Sequence, residues 1–118
     1  MSKVILLNQV PSMKTANGNT GNISWGNAQT IALDINVTGQ QGTSPTLQIL
    51  LDRLGADGVT YFNIYDSTAL APGSYPKSAS IGPGCTFAQE LGSSGQVRWV
   101  IGGSASPGVQ FSLSLQGE

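Results

Sequence analysis

Histidine is absent from this 118-residue chain, cysteine occurs once and charge is scarce. Without an imidazole, neither the Cys85 thiol nor any serine hydroxyl has the base that nucleophilic catalysis ordinarily uses. A single cysteine excludes an intrachain disulfide, and Cys85 reads as a small buried strand residue. Lys, Arg, Asp and Glu make up 9% of the sequence, against about 25% in an ordinary soluble domain. The net charge is −1, and the five basic residues (Lys3, Lys14, Arg53, Lys77, Arg98) are scattered. A nucleic-acid groove needs a basic stripe, and the chain has none. No apolar run approaches the ~20 residues of a membrane-spanning helix. Val4-Ile5-Leu6-Leu7 is far shorter than the apolar region of a signal peptide. The expectation is synthesis in the cytoplasm without export, with neither membrane nor nucleic acid as partner.

The same scarcity limits metal and cofactor chemistry. Asp52, Asp57 and Asp66 bracket one turn, but Asp57-Gly58 has its own use there, since both residues tolerate positive φ. The other two acids read as solvated. Gly102-Gly103 and Gly82-Pro83-Gly84 lack the following helix and lysine of a phosphate loop. We therefore expect a non-enzyme with no catalytic, metal or cofactor site.

What the chain does contain is alternation. Ile31, Leu33, Ile35 and Val37 alternate with Ala32, Asp34, Asn36 and Thr38, and Leu47, Ile49 and Leu51 resume the pattern after a turn. Val97, Trp99 and Ile101, then Val109, Phe111, Leu113 and Leu115, repeat it. Period 2 marks a strand with one face buried. Each stretch, Thr30 to Asp52 and Gln96 to Leu115, reads as strand, Gly/Ser/Thr turn, Ser-Pro, strand. The expectation is two hairpins, one in each sheet of a sandwich, with their apolar faces meeting. Val59 to Asp66 and Cys85 to Leu91 read as further strands, Ser12 to Asn22 and Ser67 to Gly84 as loops. The predicted fold is all-β: an antiparallel β-sandwich or jelly roll of about seven to eight strands. Residues 1–29 form an N-terminal arm and loop, and 30–118 the β domain.

Low charge, with Ser, Thr, Asn, Gln and Gly in its place, suits a surface that neighbours cover, and equally a secreted or extracellular β module, where such surfaces also occur. Candidate contacts are Val4, Ile5, Leu6 and Leu7 in the arm, together with Trp25, Tyr61, Tyr65 and Tyr75. Tyr61 and Tyr65 sit at alternating positions of one strand, where with Trp25 or Tyr75 they would stack on a sugar or anchor a protein. The competing assignment is that these aromatics cover a flank of the sandwich or pack under the long loop.

The run NVTG…GTSPTLQI, the Asp-Gly hairpin with VTYFNI, and VRWVIGG…SPGVQFSLSL together resemble small β-rich virion structural proteins of tailed bacteriophages. The resemblance spans about Thr30 to Leu115 and is greatest to capsid decoration (cement) proteins. It implies a viral structural protein on the outer surface of a capsid, bridging and stabilising major capsid protein subunits. It also implies a homo-oligomer, a trimer in preference to a dimer. The motifs are architectural, so no functional residue is implied by them. Two other assignments stay open: a carbohydrate- or receptor-binding β module, and a component of the phage tail or baseplate.

Overall fold

The computed structural model describes residues 4–118, without the side chains of Val4 and Val10. The fold is all-β and antiparallel, a single sheet curled into a half-barrel. Its strands are β1 (Val4–Lys14), β2 (Gly18–Asn19), β3 (Ile23–Ser24), β4 (Ile31–Leu54), β5 (Tyr61–Asp66), β6 (Lys77–Ile81) and β7 (Ser94–Gly117). A 3-10 turn at Pro72–Ser74 lies between β5 and β6.

The two repeated stretches are not hairpins. Each is one strand of 24 residues, and the two pair with each other from Ile31↔Gly117 to Arg53↔Gly95. A straight strand of that length would extend roughly 80 Å at ~3.3 Å per residue, yet the longest dimension of the molecule is 42 Å. The ribbon therefore folds over at its middle. There the register shifts around Gln41 to Thr46. Gly42, Ser44, Gly103, Ala105 and Ser106 all take positive φ, and bulges of this kind bend a strand pair. The Gly/Ser and Ser-Pro segments expected to reverse the chain instead bend it.

Folding the ribbon makes two layers. In the first, residues 31–37 of β4 pair with 111–117 of β7; in the second, 46–53 pair with 95–102. Each layer thus takes one limb from each repeat. Ile31, Leu33, Ile35, Phe111, Leu113 and Leu115 face inward from the first layer, and Leu47, Ile49, Leu51, Val97 and Trp99 from the second. The Trp99 and Phe111 rings meet across the gap, 5.8 Å apart and 67° to one another. Fully burying a residue of this kind contributes about 1.5–3 kcal/mol, so the interior of the folded ribbon is the main driving force.

Shorter strands flank the ribbon. β1 pairs along the first layer, and β2 and β3 along the second, all on the β7 side. On the β4 side, β5 pairs with 50–54 and β6 with 31–35. β1, β2 and β3, which fall within the expected arm of residues 1–29, pair into the same sheet as the later strands. Ser12 to Asn22 contributes the end of β1 and all of β2, and the expected loop over Ser67 to Gly84 contains the edge strand β6. Conversely, Cys85 to Leu91 is not a strand; only an isolated bridge, Ile81↔Phe87, ties it to β6.

Candidate interaction surface

Three of the four aromatic candidates are interior. Trp25 is 4% exposed, Tyr65 5% and Tyr75 8%. Trp25 follows β3 and lays its ring over Gly95, where a Cβ would collide with it. Its indole N–H donates to the carbonyls of Leu91 (3.0 Å) and Gly92 (3.2 Å). Trp99 makes the matching arrangement over Gly18, donating to the Ala16 carbonyl at 3.2 Å. Tyr75 donates its hydroxyl to the Leu47 carbonyl at 2.7 Å, tying the long connection to the second layer. Burial raises the Tyr75 and Tyr65 hydroxyls above the usual tyrosine range. Tyr65 packs edge-on against Phe87, with ring centres 4.9 Å apart.

Tyr61 and Tyr65 do not share a face. A bulge opposite Leu51 and Asp52 inserts Ile64 as an extra residue, so Ile64 and Tyr65 both turn inward. Tyr61 stays on the outer side of the second layer, half-buried. Its hydroxyl reaches the Asn22 side chain at 3.3 Å, beyond both β4 and β7. The four aromatics therefore form no common platform. In β1, Ile5 is 66% exposed, whereas Leu6 and Leu7 are partly buried against the core. The Val4 side chain lies outside the described residues.

The acids divide by role. Asp57 serves its turn as expected: its carboxylate accepts from the Val59 and Thr60 amides and the Thr60 hydroxyl. The Thr60 hydroxyl and these amides lower its pKa to about 2. Asp52 is not solvated. It lies in the second layer with its side chain 3% exposed and is ion-paired to Arg98, which is 39% exposed. Asn63 and Gln96 each donate to it at 3.1 Å. Burial pushes its pKa up, but Arg98 and the two amides outweigh burial, and the net displacement is downward. Alternation in the sequence placed Asp52 on the outer face but did not reveal the cover formed by Asn63 of β5 and Gln96 and Arg98 of β7. Asp66 accepts from Gln48 at 2.8 Å and from the Thr68 amide. Among the described residues, no three His, Cys, Asp or Glu side chains stand together as a metal site.

Two exposed surfaces remain. One is apolar and lies at the end away from the bend. Ile5, Val59, Phe62 and Phe87 are exposed toward that end, Val59 by 78%, while a fifth exposed apolar side chain, Met13, lies near the bend. Ile5 pairs with Gln116 near the end of β7, Phe62 with Arg53 near the end of β4, and Phe87 bridges to the last residue of β6. Arg53 lies over the Phe62 ring at 4.7 Å. The second surface is the outer face of the first layer, a four-strand expanse of small hydroxyl and amide side chains crossed by a shallow groove. No protein-family model and no curated protein matches the chain.

Proposed function

We propose that the chain is a non-catalytic structural protein of a tailed-phage virion, a decoration protein that binds the outside of the capsid and bridges major capsid subunits. The observation that carries this reading is the exposed apolar end. Four large apolar side chains are exposed toward one end of a β body whose exterior has few charges to keep neighbours away. Arg53, Asp52 and Asp57 are each engaged within the chain. What the surface offers a partner is contact area. Repeated over the symmetry of a shell, weak contacts of this kind sum to strong attachment. Self-association into a trimer would multiply the effect further.

The test is electron microscopy of the tagged full chain mixed with expanded capsids and with whole particles lacking it. Density at regular positions on the shell is the expected result, reduced to less than half occupancy by Ile5→Asp combined with Val59→Asp. Both side chains are exposed, so the double variant should keep its fold, which circular dichroism checks. Density confined to tail or baseplate would replace this reading with the tail assignment. No density anywhere would remove the virion reading.

A further inference from the structure

The outer face of the first layer carries polar groups arranged in strand register. Asn8, Ser114, Asp34 and Ser78 are successive partners across β1, β7, β4 and β6. Four strands at ~4.8 Å spacing make this row roughly 14 Å long. A second row, Ser112 with Asn36, runs beside it. Both rows line one shallow groove of about 420 Å³, bounded at the β6 end by Pro76 and Lys77. Among the described residues, one internal hydrogen bond involves these side chains: a long contact from the Ser114 hydroxyl to Asp34, 3.4 Å. Most donors and acceptors of Asn8, Asn36, Ser78 and Ser112 are therefore free for a ligand, as is most of the Asp34 carboxylate.

We propose that this groove binds a neutral polyhydroxyl chain, an oligosaccharide laid across the strands. The chemistry selects that class. Amides and hydroxyls both donate and accept, as sugar hydroxyls do, and a carboxylate takes two neighbouring hydroxyls at once. A polyanion such as nucleic acid would meet Asp34 with Lys77 as the one cation in the lining. A peptide strand adds to a sheet edge, whereas this is a sheet face. With no aromatic ring in the groove to stack on a sugar, a single site is weak and gains strength only when many copies are displayed together. This inference does not depend on the virion reading, because the free protein tests it.

The experiment titrates the ¹⁵N-labelled full chain with maltohexaose, cellohexaose, xylohexaose and mannohexaose in turn and follows the amide spectrum. At least one sugar should shift the side-chain amides of Asn8 and Asn36 and the backbone amides at 34, 78, 112 and 114. Asp34→Ala should weaken that binding about tenfold or more, the loss expected for a hydrogen bond to a charged group. Ser112→Ala combined with Ser114→Ala should also weaken it. Unchanged signals from the core would show that both variants are folded. The proposal is overturned if none of the four sugars shifts the groove signals at tens of millimolar. It is equally overturned if shifts centre on Tyr61 or if binding survives Asp34→Ala undiminished.

Discussion

At the scale of single residues, Asp52 and Arg98 couple stability to pH. The folded-state pKa of Asp52 lies below its ordinary value of 3.8. Its stabilising contribution is therefore fully present above that value and is lost as the pH falls through the folded-state pKa. Arg98→Ala leaves the buried carboxylate with only Asn63 and Gln96. We expect a loss of about 1–2 kcal/mol at neutral pH, less than for a fully buried pair because solvent screens Arg98. Urea unfolding from neutral pH down to about 2 checks the sign: the difference between wild type and variant should shrink below about pH 4. Asp57 is also lowered, to about 2, but it is unchanged between the two proteins, so its contribution cancels in the difference. Backbone strain gives a second residue-scale prediction. Ala105 takes φ of 57° at the bend, a conformation costly for any residue with a Cβ. Ala105→Gly should stabilise by about 0.5–1 kcal/mol, the relief of strain exceeding the added freedom of the unfolded chain. Gly95→Ala is the opposite case. Its Cβ would fall within contact distance of the Asp52 carbonyl and the Trp25 ring, and about 3 kcal/mol of destabilisation is expected. Thermal melts of the two variants should move in opposite directions.

At the scale of elements, Trp25 acts as a clamp joining segments distant in sequence. Its indole N–H holds the carbonyls of Leu91 and Gly92, and these residues belong to a stretch with little regular pairing of its own. Trp25→Phe keeps an aromatic ring but removes the donor, leaving the Leu91 carbonyl without this partner. A cost of about 2–3 kcal/mol is expected. Hydrogen exchange should localise the effect, with protection lost first around residues 88–95 while the middle of β4 keeps its protection. The clamp also indicates how much of the fold was legible in the sequence. Alternation identified the buried residues of β4 and β7 and hence the all-β class. It did not encode which strand pairs with which, because all four limbs carry the same period and any two would bury the same face. Positive φ at Ser44, Ala105 and Ser106 turns the expected reversals into bends, and these residue types do not announce it. The sequence of β6, Lys-Ser-Ala-Ser-Ile, has one large apolar residue, too faint a pattern to stand out among prolines. Trp25, Tyr65 and Tyr75 were visible as aromatics, but their burial depends on Gly95, Phe87 and Leu47, contacts that local sequence does not contain. The polar rows of the first layer became visible only once register aligned Asn8, Ser114, Asp34 and Ser78.

At the scale of the whole molecule, the bent ribbon gives a body with two dissimilar surfaces. The end away from the bend exposes Ile5, Val59, Phe62 and Phe87, and the outer face of the first layer presents hydroxyls and amides. On the proposed reading, this division would let one surface attach while the other stays hydrated. It also bears on how attachment responds to salt. With 9% charged residues and a net charge of −1, long-range attraction contributes little, and binding through the apolar end should rest on desolvation. The Debye length falls from about 10 Å at 0.1 M salt to about 3 Å at 1 M. A contact built on charge would therefore weaken by orders of magnitude over such a range, as phosphate-binding surfaces do. On the proposed decoration role, occupancy of capsids should change less than about twofold between roughly 0.05 and 0.5 M sodium chloride. It should fall on cooling, because apolar burial loses driving force at low temperature. Sedimentation of particles with bound protein across the two series measures both. A steep loss with salt would shift the contact from Ile5, Val59 and Phe62 to the charge beside them, Arg53 over the Phe62 ring. In that event Ile5→Asp with Val59→Asp would leave occupancy unaltered, whereas Arg53→Ala would reduce it.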